Sequence, residues 1–212
     1  HQAKPAEAYS NNLRVSLKCV LPVVFEPVEG EFVAFGATYT NSDFGAANLL
    51  VQGTLLRISS GSSSVLEGKL RKIHLGAVIS DNEIELSEAT LEKESQTHMS
   101  AVRDMVRDVF SENNIKRSLD MVKYSIENKV SWEKLKDMFG DVLNQSEMTS
   151  VEEMLKSTKS GIINLPPVTS NKDGDPEANA WWAAAALGVV AARTNDTDRK
   201  ASMQELAGKL LK

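Results

Sequence analysis

Residues 99–110, MSAVRDMVRDVF, decide the fold class: Met99, Val102, Met105, Val106, Val109 and Phe110 recur three and four apart, with Arg103, Asp104, Arg107 and Asp108 off that stripe. Such spacing gathers the apolar side chains along one side of an amphipathic helix. Upstream the period is two. In residues 13–21, Leu13, Val15, Leu17, Cys19 and Leu21 alternate with Arg14, Ser16 and Lys18, which predicts a half-buried strand that Pro22 breaks or confines to an edge. Residues 32–40 and 48–58 (NLLVQGTLLRI) are further extended runs, with turn chemistry at Asn41, Ser42, Asp43 and Gly45 between them. Residues 59–64, SSGSSS, read as a loop, and residues 70–79 as another extended candidate containing Arg71, Ile73 and Leu75.

Downstream the helical period persists. Ile115, Leu119, Val122 and Ile126 make a second stripe, and Trp132, Leu135, Met138, Phe139 and Val142 a third, with Ser131 as N-cap. Ser150 and Glu153 have the form of a capping box for a short helix ended by Gly161. Residues 165–179 are polar and rich in proline and glycine, so they predict an exposed loop, after which Asp175 and Pro176 would start an alanine-rich helix. Met203, Leu206 and Leu210 mark a last helix over residues 197–211. Strands first and helices after predict an α+β fold, an N-terminal antiparallel sheet followed by a helical C-terminal half, rather than alternating α/β. The expected parts are a β-rich region 11–80, a helical region 83–162 packed on the sheet, a linker 163–179 and C-terminal helices 180–212, together one domain.

At 212 residues, 42% hydrophobic and 25% charged, the chain can fill a core without metal or disulfide, and its single cysteine, Cys19, excludes an internal disulfide framework. The longest apolar run, residues 180–192, falls short of the roughly 18 residues that a membrane span needs. Residues 1–12 have neither the basic nor the apolar region of a signal peptide, so the expectation is a soluble, cytoplasmic protein. The net charge of −5 argues against a wholesale polyanion binder, but charge is uneven. Residues 11–80 carry six Lys/Arg against five Asp/Glu (+1), and residues 81–212 seventeen against twenty-three (−6).

No sequence motif names an activity. His1, His74 and His98 sit in no catalytic motif; G-x-S-x-G, Walker A, G-x-G-x-x-G and H-E-x-x-H are absent, and no cofactor is expected. Asn171, Asp173 and Asp175 are spaced like the first ligands of a calcium loop, but Pro176 occupies its glycine position and Trp182 its glutamate position, so no metal is expected. Lys69, Arg71 and Lys72 form the densest basic cluster, which Arg57 and Lys18 would join if their strands pair. Adjacent Trp181 and Trp182 diverge by about 100° on a helix, so burying both requires cover on more than one side, by the chain's own core or by a second subunit.

Asn41, Ser42, Asp43, Phe44 and Gly45, followed by Leu55, Leu56 and Arg57 and by the stretch Leu70, Arg71, Lys72, Ile73, His74, Leu75 and Gly76, resemble the blocks of a phage- and plasmid-associated family of domains of unknown function. Trp181 or Trp182, Arg193 or Arg199, and the terminal helix around residues 207–209 are similar to that family's C-terminal blocks. Where the family carries cysteine-threonine-asparagine-glycine, this chain has Ser59, Ser60 and Gly61. The resemblance implies a mobile-element origin and, by association, work on DNA. The resulting expectation is a non-catalytic, homo-oligomeric nucleic-acid-binding protein that handles single-stranded DNA through Lys69, Arg71, Lys72, Arg57 and Lys18, with Trp181 and Trp182 at subunit contacts. The alternatives are a structural or assembly protein, such as a virion or scaffold component, and an enzyme in which Asp43, His74 and a carboxylate converge.

Overall fold

The computed structural model describes residues 4–10, 15–41, 50–70, 87–156, 169–170 and 176–212. Strands β1 (Lys4–Ser10), β2 (Val15–Val28), β3 (Glu31–Asn41), β4 (Leu50–Arg57) and β5 (Ser63–Leu70) form an antiparallel sheet in chain order. Helices α1 (Glu88–Val109), α2 (Glu112–Glu127), α3 (Trp132–Gly140), α4 (Gln145–Lys156), α5 (Ala180–Arg193) and α6 (Thr197–Leu210) follow. The fold is therefore α+β, as the change of period from two to 3.6 predicts. Three short strands, β6 (Lys129–Val130), β7 (Thr169–Ser170) and β8 (Pro176–Asn179), make a second sheet in the order β6-β8-β7.

Several local expectations are corrected. Strand β2 runs through Pro22 to Val28. Among the described residues its pairing with β1 spans Val15 to Val20, so Pro22 lies beyond the last described partner. Within the serine run, Ser62, Ser63 and Ser64 are buried, and Ser63 and Ser64 open β5, so the loop ends at Ser62. Pro176 starts no helix, because Ala178 and Asn179 pair with Val130 and Lys129 across β6 and β8. Helix α5 begins at Ala180, where the Asn179 side-chain oxygen accepts from Trp182 N–H at 2.9 Å and its amide donates to the Ile126 carbonyl at 2.9 Å. Ser150 lies inside α4 and donates back to the Ser146 carbonyl; the capping box is Asn144 with Glu147, each side chain accepting the other's backbone N–H at 2.9 and 2.8 Å.

The chain divides into two compact units, and strands β2 to β5 contribute to both. In the first, Ala37 and Val51 of the sheet pack against Met105, with Val102, Val106, Val109 and Phe110 of the helical stripe around them. Met99, the first member of the stripe, is exposed. In the second, Val33, Phe35 and Leu55 are buried, as are Trp132, Leu135 and Phe139 of α3, Val151 and Leu155 of α4, and Met203 and Leu206 of α6. Helix α5 packs on α6, α4 and β8, and its small residues let it come close. A β-carbon on Gly188 would stand 2.8 Å from that of Ser62, which accounts for the burial of the serines.

Both edges of the large sheet are blunted. Strand β1 carries Pro5 and a register shift between Pro5 and Glu7, two devices that spoil an edge as a template for another strand. At the other edge, the β5 carbonyl of Val65 is met by Gly208 of α6.

Candidate functional site

Arg57 ends β4 in step with Val51 and Leu55, and since strand side chains alternate between faces, it shares their inner side. A charge there needs a partner, because an unpaired buried ion is strongly unfavourable. Glu31, at the start of β3, supplies it. Arg57 Nε donates to Glu31 Oε2 at 2.8 Å and Nη2 donates to Oε1, a bidentate pair. Trp181 Nε1 donates to the same Oε2 at 3.2 Å, and the guanidinium carbon lies 6.0 Å from the Trp181 ring centroid. Arg57 and Trp181 are each 2% exposed, and the Glu31 side chain keeps 15% exposure. Arg57 Nη1 is buried without a hydrogen-bond partner among the described residues.

This geometry corrects two expectations. Arg57 does not line an open basic groove; it is buried, its charge is matched by Glu31 and its guanidinium carbon lies over the Trp181 ring. Trp181 is no subunit contact, since its indole is buried within its own chain. Trp182 is half-buried, and its Nε1 is buried without a partner among the described residues.

Of the remaining cations, Lys69 lies on β5 and Lys18 on β2, where its register partner is Glu7 of β1. Strands β3 and β4 stand between β2 and β5, so Lys18 does not join the Lys69 cluster. Neighbouring strands are about 4.8 Å apart, which separates the two by three strand spacings, or about 14 Å. Arg71, Lys72, Asp43 and His74 lie outside the described residues, as do Asn171, Asp173 and Asp175 of the calcium-like spacing. Among the described residues no group of three His, Cys, Asp or Glu side chains is arranged to hold a metal ion, and no helix is long and apolar enough to cross a membrane.

Sequence reasoning missed the Glu31–Arg57–Trp181 cluster, although a signal for it exists. Glu31 falls in step with Val33 and Phe35, as Arg57 does with Leu55, and opposite charges at core-facing positions of neighbouring strands are candidates for a buried pair. In comparisons with family models, with curated proteins and with solved structures, the chain finds no match.

Proposed function

We propose that the chain is a non-catalytic nucleic-acid-binding protein that takes single-stranded DNA at the basic stretch continuing from the edge strand β5. One observation carries this reading: residues 68–80, GKLRKIHLGAVIS, hold Lys69, Arg71 and Lys72 and no acidic residue, in a chain whose net charge is −5. Phosphate binding follows local charge more than total charge. Three cations within four positions engage about three phosphates, a footprint that a flexible single strand can follow more easily than a stiff duplex. The Glu31–Arg57 pair supports the second unit structurally and takes no part in binding.

Fluorescence anisotropy of labelled single-stranded and duplex DNA, titrated at two salt concentrations, tests the proposal. Salt-sensitive binding that prefers the single strand and weakens in Lys69→Ala/Arg71→Ala supports it; no binding at low salt, or unchanged affinity in that variant, overturns it.

A further inference from the structure

In the second unit, Phe25 meets Phe35 edge-on at 5.3 Å, which places both on the inner face with the buried Val33. Val24 and Phe32 are an odd number of residues from that pair on their strands, so they point to the opposite face, which is exposed at this hairpin end although Ala34 and Thr54 farther along it are buried. Ile58 N–H donates to the Phe32 carbonyl at 2.9 Å, so these two residues stand opposite one another and share that face. The neighbouring strands β2 and β3, and Ile58 just past the end of β4, thus present Val24, Phe32 and Ile58 on one face, at 56%, 42% and 46% exposure. Adjacent exposed apolar groups of this size mark interaction surfaces more often than scattered single ones do.

The exposed charges in the sheet part of this unit have one sign. The sheet residues of this unit, 23–35 and 54–66, contain Glu26, Glu29, Glu31 and Arg57 as their only charged side chains. Glu31 and Arg57 neutralise each other in the interior, which leaves the exposed carboxylates of Glu26 and Glu29. Glu26 is held at the hairpin by accepting the Gly30 N–H at 2.9 Å. An apolar surface beside carboxylates repels a phosphate backbone and complements a cationic peptide.

We propose that the outer face carrying Val24, Phe32 and Ile58 is a docking surface for a partner protein segment that presents apolar side chains beside lysine or arginine. The apolar side chains cover the three exposed residues, and the cations reach Glu26 and Glu29 at the rim. The residues of this site include none of 68–80, so failure of DNA binding leaves it standing.

The test uses the full chain and two labelled peptides of equal length, one alternating leucine with lysine and one alternating leucine with glutamate. The lysine peptide is expected to bind at least about tenfold more tightly, and Phe32→Ser/Ile58→Ser to weaken it by about tenfold. Val24→Ser, on a separate strand, repeats the test, and Glu26→Gln/Glu29→Gln should lower both affinity and its salt dependence. Equal binding of the two peptides, or unchanged affinity in the apolar variants, overturns the proposal. So does a dimer in sedimentation that Phe32→Ser/Ile58→Ser turns into monomer, which would make a second copy the occupant.

Discussion

Gly208 of α6 lies against the main-chain carbonyl of Val65 in the edge strand β5; a β-carbon on Gly208 would overlap the Val65 oxygen and come within 2.8 Å of its carbonyl carbon. The helix therefore covers a backbone acceptor that would otherwise be open for strand pairing. Only a residue without a side chain permits that approach.

Gly208→Ala separates this steric demand from helix propensity. Alanine in a helix interior gains up to about 1 kcal/mol over glycine, so propensity alone predicts a more stable protein. Here the obstacle is backbone and cannot rotate away, and overpacking of this kind costs about 1–3 kcal/mol or more. The expected outcome is a net loss of about 2 kcal/mol in urea unfolding. Gly140→Ala is the control, because nothing lies within 4 Å of its β-carbon position, and it should be neutral or slightly stabilising.

The Glu31–Arg57 pair should behave as a buried ion pair. Glu31→Ala leaves the Arg57 guanidinium enclosed without its carboxylate and removes the acceptor of Trp181 Nε1, so a loss of about 3–5 kcal/mol is expected. Replacing both partners, as in Glu31→Leu/Arg57→Met, removes the stranded charge and should recover much of that loss. A double-mutant cycle measured by chemical denaturation checks the sign. If Glu31→Ala were as stable as the parent, the pair would not support the sheet.

The elements that can be read from the sequence are those whose own residues repeat. The alternation around Val15, Leu17 and Cys19 lies in β2, and the stripes through Met105, Val122, Leu135 and Met203 lie in α1, α2, α3 and α6. Strand β1 escapes such reading because KPAEAYS has no apolar period; it is a strand through the register it adopts on β2, from Lys4 opposite Val20 to Ser10 opposite Val15. Pro176 misleads for a similar reason, since the pairing of Ala178 with Val130 overrides a local helix start. The candidate site is less legible still. Lys69, Arg71 and Lys72 are visible as a cluster, whereas the fate of Arg57 depends on Glu31, 26 residues earlier, and on Trp181, 150 residues after Glu31.

The start of α4 yields a prediction in which sequence and structure disagree. Asn144 accepts the Glu147 N–H, and Glu147 accepts both the Asn144 N–H and the Arg199 guanidinium, so the cap also ties α4 to α6. Asn144→Ala should cost about 1 kcal/mol, the usual value of an N-cap. Ser150→Ala removes only a bond to the carbonyl four residues back and should stay within about 0.5 kcal/mol of the parent. Thermal unfolding of the two variants side by side decides between the capping boxes.

The salt dependence of the proposed DNA binding would count the cations that take part. For single strands the slope of log affinity against log salt is about −0.7 per phosphate neutralised. Lys69, Arg71 and Lys72 alone predict a slope of about −2, whereas addition of Arg57 and Lys18 would give about −3.5. The smaller value is expected, because Arg57 is enclosed with Glu31 and Lys18 is separated from β5 by two strands. Lys18→Ala should therefore leave both slope and affinity unchanged, while Lys69→Ala should reduce the slope by about 0.7. A measured slope near −3.5, or a loss of affinity in Lys18→Ala, would show that DNA reaches across the sheet and that the site is wider than residues 68–80.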